Sequence, residues 1–570
     1  MKKKVLAVLL AAAMTLSLAA CGETESSSST TSTASTTSTE KKETASTEEV
    51  VSDGPDANGM QDGKFVETRT ISVEVYDRDG ATPAADNVWT DWIKAQMLEL
   101  YNVNVEFVAV PRWTEVDQIN NLLAAGDAPD ICITYDYSTI QTYANMGGVT
   151  DLAPYLEEYK SMLPNLWEWL GDENIYYDQD PETGTVWAVE GRRNNTYRIN
   201  TFVRQDWLDA LNMSAPTTTE EFEAMLIAFR DNASTLLGDD ANQMIPFEVT
   251  SDAGWTAAPL IESCMDPDIT DKELYINGYD DRKFTENGTK EAFRLLNKWY
   301  NAGLLWDDFA VSETSVGEDA IKAGFVGAFC QNYDMPFRNG VDSYNAILAA
   351  TYGENAKFVA INCFDDKNGN YSHYSYSAAG DRKAFFPATN DEPLASLLYL
   401  DFISTQSTIE YLQTGEEGIN HTVLDSGAIA IAAVSEENVA YTQNSGQNID
   451  LTITCNGLRL ATDELTNQSL AYTYAEVDPE DVANAMAIAS VDAISPKNVQ
   501  VGAIEAEAEG TGLSDKRDEV LCKSIVASEA DFDTVWDNGM NEYLAAGGQD
   551  IIDERTEKWE ATYGTADMLP

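Results

Sequence analysis

Three short stretches combine aromatic rings with side chains that can fork onto polar groups: Tyr135-Asp136-Tyr137, Ser251-Asp252-Ala253-Gly254-Trp255 and Gln331-Asn332-Tyr333-Asp334. An aromatic face stacks on the apolar C–H face of a ring-shaped ligand, while Asp, Asn and Arg make paired hydrogen bonds to neighbouring polar groups. The adjacent Arg192 and Arg193, and the single Arg78, supply further forks for hydroxyls or a carboxylate. Both positions also fit a structural pairing with nearby Asp or Glu. Trp255 follows a glycine in a loop and is expected in a cleft. Trp113, after Pro111-Arg112, fits a core and a cleft equally, and Trp167, Trp169, Trp207 and Trp299 sit on helical patterns expected in cores.

The elements that must position these side chains alternate between strand and helix, which implies parallel sheets covered by helices. Thr70 to Tyr76 alternates as a strand, and Asn87 to Tyr101 carries apolar residues at helical spacing. Asn104 to Val110 is a second strand, Glu115 to Ala125 a helix stopped by Gly126, and Asp130 to Thr134 a third strand. Thr285 to Ala302 is a long amphipathic helix ended by Gly303, and Phe325 to Cys330 a buried strand. The three aromatic stretches therefore follow strands. Open α/β sheets bind ligands beyond the carboxyl ends of their strands.

Composition removes several chemistries. With 96 acidic against 35 basic residues the formal charge is −61, a field that repels nucleic acid and anionic lipid. A polyanionic ligand is disfavoured too, unless arginines are gathered locally. Only His373 and His421 are present, which counts against a Ser-His-Asp hydrolase or a histidine zinc site, and His421 is expected at the surface. After Cys21 the six cysteines are scattered without metal-type spacing, and most are expected as small buried hydrophobes. Neither a Rossmann glycine fingerprint nor a P-loop is present, so no cofactor and no metal is expected. Asp178, Asp180 and Glu182 have calcium-loop spacing without the rest of an EF-hand and read as a hydrophilic turn, as does Asp365 to Asn370.

The N-terminus carries chemistry of another kind. Met1-Lys2-Lys3-Lys4 precedes sixteen apolar and small residues ending in Leu18-Ala19-Ala20, and Cys21 stands at the cut. The run is short for a membrane span and resembles a secretory signal closed by a lipobox, in which the cysteine thiol receives a diacylglycerol. From Gly22 to Gly63 the chain is rich in Ser, Thr and Glu, with almost no large apolar residue until Phe65, a composition that stays disordered. Residues 1–20 are read as signal peptide and 21–64 as lipidated cysteine and tether.

Five stations resemble family 1 extracellular solute-binding proteins in chain order. They are Asn121-Leu-Leu-Ala-Ala-Gly-Asp-Ala-Pro-Asp-Ile131, Val203 to Asn212 with Pro216 to Phe222, Asn297 to Leu304, Ala323 to Phe329, and Trp536 to Leu544 with Gly547 to Asp550. The resemblance extends over nearly the whole body, from about residue 66 to 563, and the likeness is to lipoprotein members serving carbohydrate ABC importers of Gram-positive bacteria.

The resemblance implies an α/β, two-lobed periplasmic-binding-protein-like fold of type 2, with discontinuous lobes joined by a hinge. Residues 65–196 with 377–435 are expected as one lobe, and 197–376 with 436–563 as the other. The hinge crossings are placed near Thr196–Asn200, Tyr376–Asp381 and Ala433–Tyr441. It implies a monomer on the extracellular face of the cell membrane, held by its lipid anchor only, that binds an oligosaccharide and works with ABC permease subunits rather than as an enzyme. The expected ligand-binding residues are Arg78, Tyr135, Asp136, Tyr137, Arg192, Arg193, Trp255, Asn332 and Tyr333, with Cys21 the lipidation site. Two alternatives stand: a secreted carbohydrate-active enzyme, which needs a carboxylate pair that 96 acids neither show nor exclude, and the same fold binding a peptide or other small solute.

Overall fold

The computed structural model describes residues 55–78, 82–280, 282–311, 314–436, 438–439, 448–510 and 512–569. Cys21, the signal and most of the tether lie outside them. Among the described residues no helix is long and apolar enough to cross a membrane.

Alternation of β-branched residues makes Arg69–Asp77 and Val103–Pro111 a parallel pair. Between them runs helix Val88–Tyr101, started by an Asn87 capping box and stopped by Asn102 in the left-handed region. Helix Glu115–Ala125 ends on Gly126, also left-handed, and leads to strand Cys132–Thr134, joined to the first strand by a bridge between Val73 and Ile131. Strand Lys383–Phe385 then pairs antiparallel with both Cys132–Thr134 and Val189–Glu190. Helices Pro164–Ile175 and Pro393–Ser404 cover this sheet, and one apolar core joins Ile71, Val105, Ile133, Leu166, Val189, Leu398 and Ile453.

A second core gathers Val203, Phe222, Phe247, Phe293, Trp299, Ala328, Leu521 and Trp536. Its sheet has strand Ile199–Arg204 antiparallel to both Val326–Asn332 and Phe358–Ile361, with Ile245–Glu248 parallel to Val326–Asn332. Both sheets are thus mixed rather than parallel throughout, because one strand in each is delivered by chain returning from the other core. Helix Thr289–Asn301 starts later than its amphipathic pattern, since Thr285 and Glu286 are used in the turn that precedes it. A smaller apolar cluster around Tyr333, Ile429, Leu458, Leu470 and Val482 packs helices Asp463–Leu470 and Pro479–Ile488.

Three segments connecting the cores are zipped together by backbone hydrogen bonds. Arg193 N donates to Ala378 O at 2.9 Å, Tyr376 N to Thr196 O at 2.9 Å, and Asn194 N to Asn456 O at 2.7 Å. Gly191 is needed in this zipper because a Cβ there would lie 2.8 Å from Ile453 O. The expected third crossing near Ala433–Tyr441 falls partly outside the described residues. Instead, Leu451, Ile453 and Cys455 pack in the first core, so the chain leaves that core at Asn456. The first crossing lies at Gly191–Thr196, a few residues earlier than expected, because Val189–Glu190 still belongs to the first sheet.

Candidate functional site

At the carboxyl ends of the first core's strands, Tyr135 stacks on Tyr76 with ring centroids 6.2 Å apart. The Arg112 guanidinium lies 4.9 Å from the Tyr76 centroid, 4.7 Å from that of Tyr135 and 5.3 Å from that of Trp113. Arg78 shares two of these rings, 5.8 Å from Tyr76 and 6.0 Å from Trp113. Trp113, which fitted either reading, is 75% exposed. Beneath them Arg112 Nη1 donates to Glu115 at 2.7 Å, and Ile133 N donates to the buried Glu74 carboxylate at 2.8 Å. Burial drives the Glu74 carboxyl well above its ordinary range and raises that of Glu115.

An ion-pair relay carries this corner to the hinge. Arg78 uses Nε and Nη2 on the two oxygens of Asp450, at 2.7 and 3.0 Å. The fully buried Arg382 lies 3.7 Å from both Asp450 and Asp381, while Nη2 donates to the carbonyls of Thr452 and Cys455. Arg193 Nη2 donates to Asp381 at 2.8 Å. Burial pushes the Asp381 carboxyl upward, but Arg193 and then Arg382 outweigh it and hold it below the usual range.

From the hinge the site passes to the second core. The Arg193 guanidinium sits 4.1 Å from the Tyr376 centroid, and the Tyr376 hydroxyl donates to Asn332 Oδ1 at 3.1 Å. Asn332 N donates to Gln331 Oε1, which also accepts from Trp255 Nε1 at 2.8 Å. Two guanidiniums face the Trp255 ring, Arg198 at 5.0 Å and Arg282 at 5.2 Å. Arg198 is held by a buried pair with Glu262 at 2.5 Å, and Arg282 forks onto Asp252. Gly254 is required here, since a Cβ would lie 2.2 Å from Arg282 Cγ. The result is a partly exposed seam of rings, Trp113, Tyr135, Tyr376 and Trp255, interleaved with guanidiniums and running from one core across the hinge to the other.

Five of the nine expected ligand residues lie on this seam: Arg78, Tyr135, Arg193, Trp255 and Asn332. The other four are engaged elsewhere. Asp136 caps helix Tyr137–Asn145, accepting from Ser138 N at 3.0 Å and Ser138 Oγ at 2.7 Å. The Tyr137 hydroxyl donates to Asp178 O, and its ring packs in the small core around Tyr143 and Ile140. Arg192 points to the opposite side of its strand from Arg193 and lies 4.9 Å from the Trp169 ring. Tyr333 is 3% exposed, and its hydroxyl accepts from Asn195 Nδ2 at 2.7 Å. His421 is also buried rather than at the surface, with Nδ1 2.9 Å from Thr414 O. Arg112, Arg198, Arg282, Gln331, Tyr376 and the Asp381–Arg382 pair were missed. Local signals were Pro111-Arg112-Trp113, the run from Arg192 to Arg198, the stretch Gln331 to Asp334 for Gln331, and the expected crossing Tyr376–Asp381 for Tyr376 and Asp381.

Two hollows among the described residues lie off the seam. One of about 260 Å³ is lined by Phe358, Ala360, Asp481 and Ile488. Another, of about 10 Å³, has room for one water beside Glu248, Thr250 and Tyr344, and touches the seam only through Gln331. No group of three or more His, Cys, Asp or Glu side chains that could hold a metal ion occurs among the described residues. Asp180 and Asp366 instead each bind backbone N–H groups within their own turns.

Residues 92–335 match the family described as bacterial extracellular solute-binding protein. The chain is 25% identical over 235 residues to lipoprotein LipO of Bacillus subtilis (strain 168), covering 38% of this chain and 42% of that one, so it spans less than half of that relative. It is 22% identical over 469 residues to the polygalacturonan/rhamnogalacturonan-binding protein YtcQ of the same organism, covering 81% of this chain and 86% of that one. Among solved structures, the alginate-binding protein AlgQ2, described without calcium ion, superposes with a TM-score of 0.61 at 14% identity, covering 88% of this chain and 100% of that one. The fold is therefore the two-lobed α/β fold of periplasmic-binding-protein-like proteins, and residues 92–335 are similar to bacterial extracellular solute-binding proteins.

Proposed function

We propose that this protein captures an oligosaccharide on the seam between its two cores and delivers it to an ABC importer. The observation that carries the reading is the continuity of the seam: Tyr135 belongs to the first core, Tyr376 to the hinge and Trp255 to the second, and a ligand lying along them touches all three. Rings at intervals suit the apolar faces of successive sugar residues, and Asn332 and Arg193 suit their rims. The names of YtcQ and AlgQ2, both polysaccharide binders, support the ligand class. The ligand set we put forward is Arg78, Tyr135, Arg193, Trp255 and Asn332, enlarged by Trp113, Arg112, Gln331 and Tyr376.

Residues 65–193 with 377–455 form one lobe in this reading, and 197–363 with 513–563 the other. The hinge lets the lobes close on the ligand. Cys21 anchors the chain as a lipid-modified first residue on the outer face of the cell membrane, a reading supported by the lipoprotein name of LipO. The protein works as a monomer and performs no catalysis. Calorimetric titration across a panel of oligosaccharides tests the reading. Saturable one-to-one binding of at least one of them, with no new reducing ends on prolonged incubation, is expected. New reducing ends would establish the enzyme alternative, and binding of peptides alone would establish the other.

A further inference from the structure

The chain has fifteen arginines against 96 acidic residues, and thirteen of them stand within ion-pair distance of a carboxylate. Among the described residues the two without one are Arg192 and Arg459, and they share a ring. Their guanidinium carbons lie 4.9 and 3.8 Å from the centroid of Trp169. Two like charges gathered at one ring, with no carboxylate paired to either, repel, and folding alone does not favour the arrangement.

The surroundings hold the pair in place. Trp169, on helix Pro164–Ile175, is 7% exposed, and its Nε1 donates to Thr454 O at 2.7 Å. Arg459 N donates to Gln413 Oε1 at 2.9 Å, and Arg459 Nη1 donates to Ser404 O at 3.2 Å. The other N–H groups of that fork, and the whole exposed fork of Arg192, have no hydrogen-bond partner among the described residues. Burial lowers the Arg459 guanidinium from its ordinary value; Cys455 and Glu168 oppose this, and Arg192 adds to it. The exposed Glu168 lies beyond ion-pair distance and is one charge against two.

Arg192 belongs to the outgoing hinge segment and Arg459 to the segment that leaves the first core at Asn456. The two run side by side where Arg192 N donates to Thr454 O at 3.0 Å. Arg192 faces away from Arg193, so this face is separate from the seam. The Trp169 ring is too buried to be a platform for a sugar and serves to space the forks. A ligand here meets N–H donors and a double positive charge, whose complement is a compact dianion with several acceptor oxygens. A phosphate monoester carries a charge of about −1.5 to −2 and three such oxygens, and guanidinium forks fit them two at a time. A lone carboxylate offers one charge and two oxygens.

We propose that Arg192 and Arg459 form a second ligand site, off the seam, that takes a phosphate group and bridges two of the three hinge segments. The site stands independently of the oligosaccharide reading.

Calorimetric titration of the purified protein with inorganic phosphate and with glycerol phosphate, in a buffer free of both, tests it. Saturable one-to-one binding of at least one probe is expected, with a melting temperature that rises with its concentration. Tighter binding of the ester assigns the site to a phosphorylated molecule, and tighter binding of the inorganic ion assigns it to free phosphate. Arg192→Gln and Arg459→Gln should each weaken binding about ten-fold or more. Arg459→Lys, which keeps the charge and loses the fork, should also bind more weakly than wild type. Arg282→Gln, on the seam, should leave phosphate affinity unchanged. If Arg459→Gln does not fold, Arg192→Gln decides, because its side chain is exposed. Absence of saturable binding of either probe up to millimolar concentration overturns the proposal. Affinity unchanged in a folded Arg192→Gln, or lost in Arg282→Gln alone, overturns it as well and leaves the oligosaccharide reading untouched.

Discussion

The Tyr376 hydroxyl donates a hydrogen bond to Asn332 Oδ1 at 3.1 Å, tying the returning hinge segment to the end of the strand Val326–Asn332. Arg193, from the outgoing segment, covers the other side of the same ring at 4.1 Å. One ring thus touches two hinge crossings and the second sheet. Tyr376→Phe keeps the ring and removes the donor, so a modest loss of affinity, about 1 kcal/mol or five-fold, is expected with little change in stability. Tyr376→Ala removes the platform and should cost considerably more. Calorimetry on both variants with the tightest oligosaccharide checks the order.

Trp255 is the platform of the second core. Its truncation to Ala should weaken binding by roughly 30-fold, at about 2 kcal/mol, as for a central aromatic anchor. The ring is only partly buried, so the melting temperature should hold. Unchanged affinity in the folded variant would remove Trp255 from the site.

Arg198 and Glu262 form a buried pair, 5% and 3% exposed, and Glu262 also accepts from Tyr374 N at 2.9 Å. Glu262→Ala removes the carboxylate that a buried guanidinium pairs with and should cost about 3–5 kcal/mol of stability, read from denaturant midpoints. Replacing both, Arg198→Met with Glu262→Leu, should restore much of that stability while Trp255 loses one of its two cations.

Glu248 lies buried against Gly317, where a Cβ would sit 2.1 Å from Oε1, with Glu318, Thr250 and Tyr344 around it. Burial, and then the nearby Glu318, raise its carboxyl to about 8. The folded state therefore keeps a proton that the unfolded chain releases above the ordinary carboxylate range. Its contribution to stability is full below that range, declines as pH rises, and levels off above about 8. Glu248→Gln cannot lose a proton, so its stability relative to wild type should climb between about pH 5 and 8, by on the order of 1 kcal/mol per pH unit. Parallel denaturation profiles for the two proteins would refute this assignment.

Much of the scaffold could be read along the chain because the signals are local. The strand from Thr70 to Tyr76, the Asn87 start and the Gly126 stop each depend on neighbours a few residues away. Side-chain direction was harder. Arg192 and Arg193 look equivalent in sequence, yet strand alternation turns one to Trp169 and the other to Tyr376. The same alternation puts Asn332 on the seam and Tyr333 in a core, since the strand Val326–Asn332 runs two residues further than its apolar pattern. Asp136 follows its strand as expected but is spent on a helix cap. Pairings that assemble the seam were beyond reach: Arg78 and Asp450 are 372 positions apart, and no periodicity links them.

Cys21→Ala bears on the anchor. Loss of the thiol should release the protein from the membrane fraction or leave its signal uncleaved. Intact-mass analysis of the wild-type protein should find a diacylglycerol-modified Cys21 at the N-terminus, and an unmodified start elsewhere would contradict the anchor.

The central claim, a ligand held along the seam between the cores, is tested most directly by a crystal structure of the protein with its tightest oligosaccharide. Sugar rings stacked on Tyr376 and Trp255, with Asn332 and Arg193 within hydrogen-bond reach of the ligand, are the predicted result. A ligand seated elsewhere, for example in the 260 Å³ hollow beside Asp481 and Ile488, with the seam untouched, would contradict it.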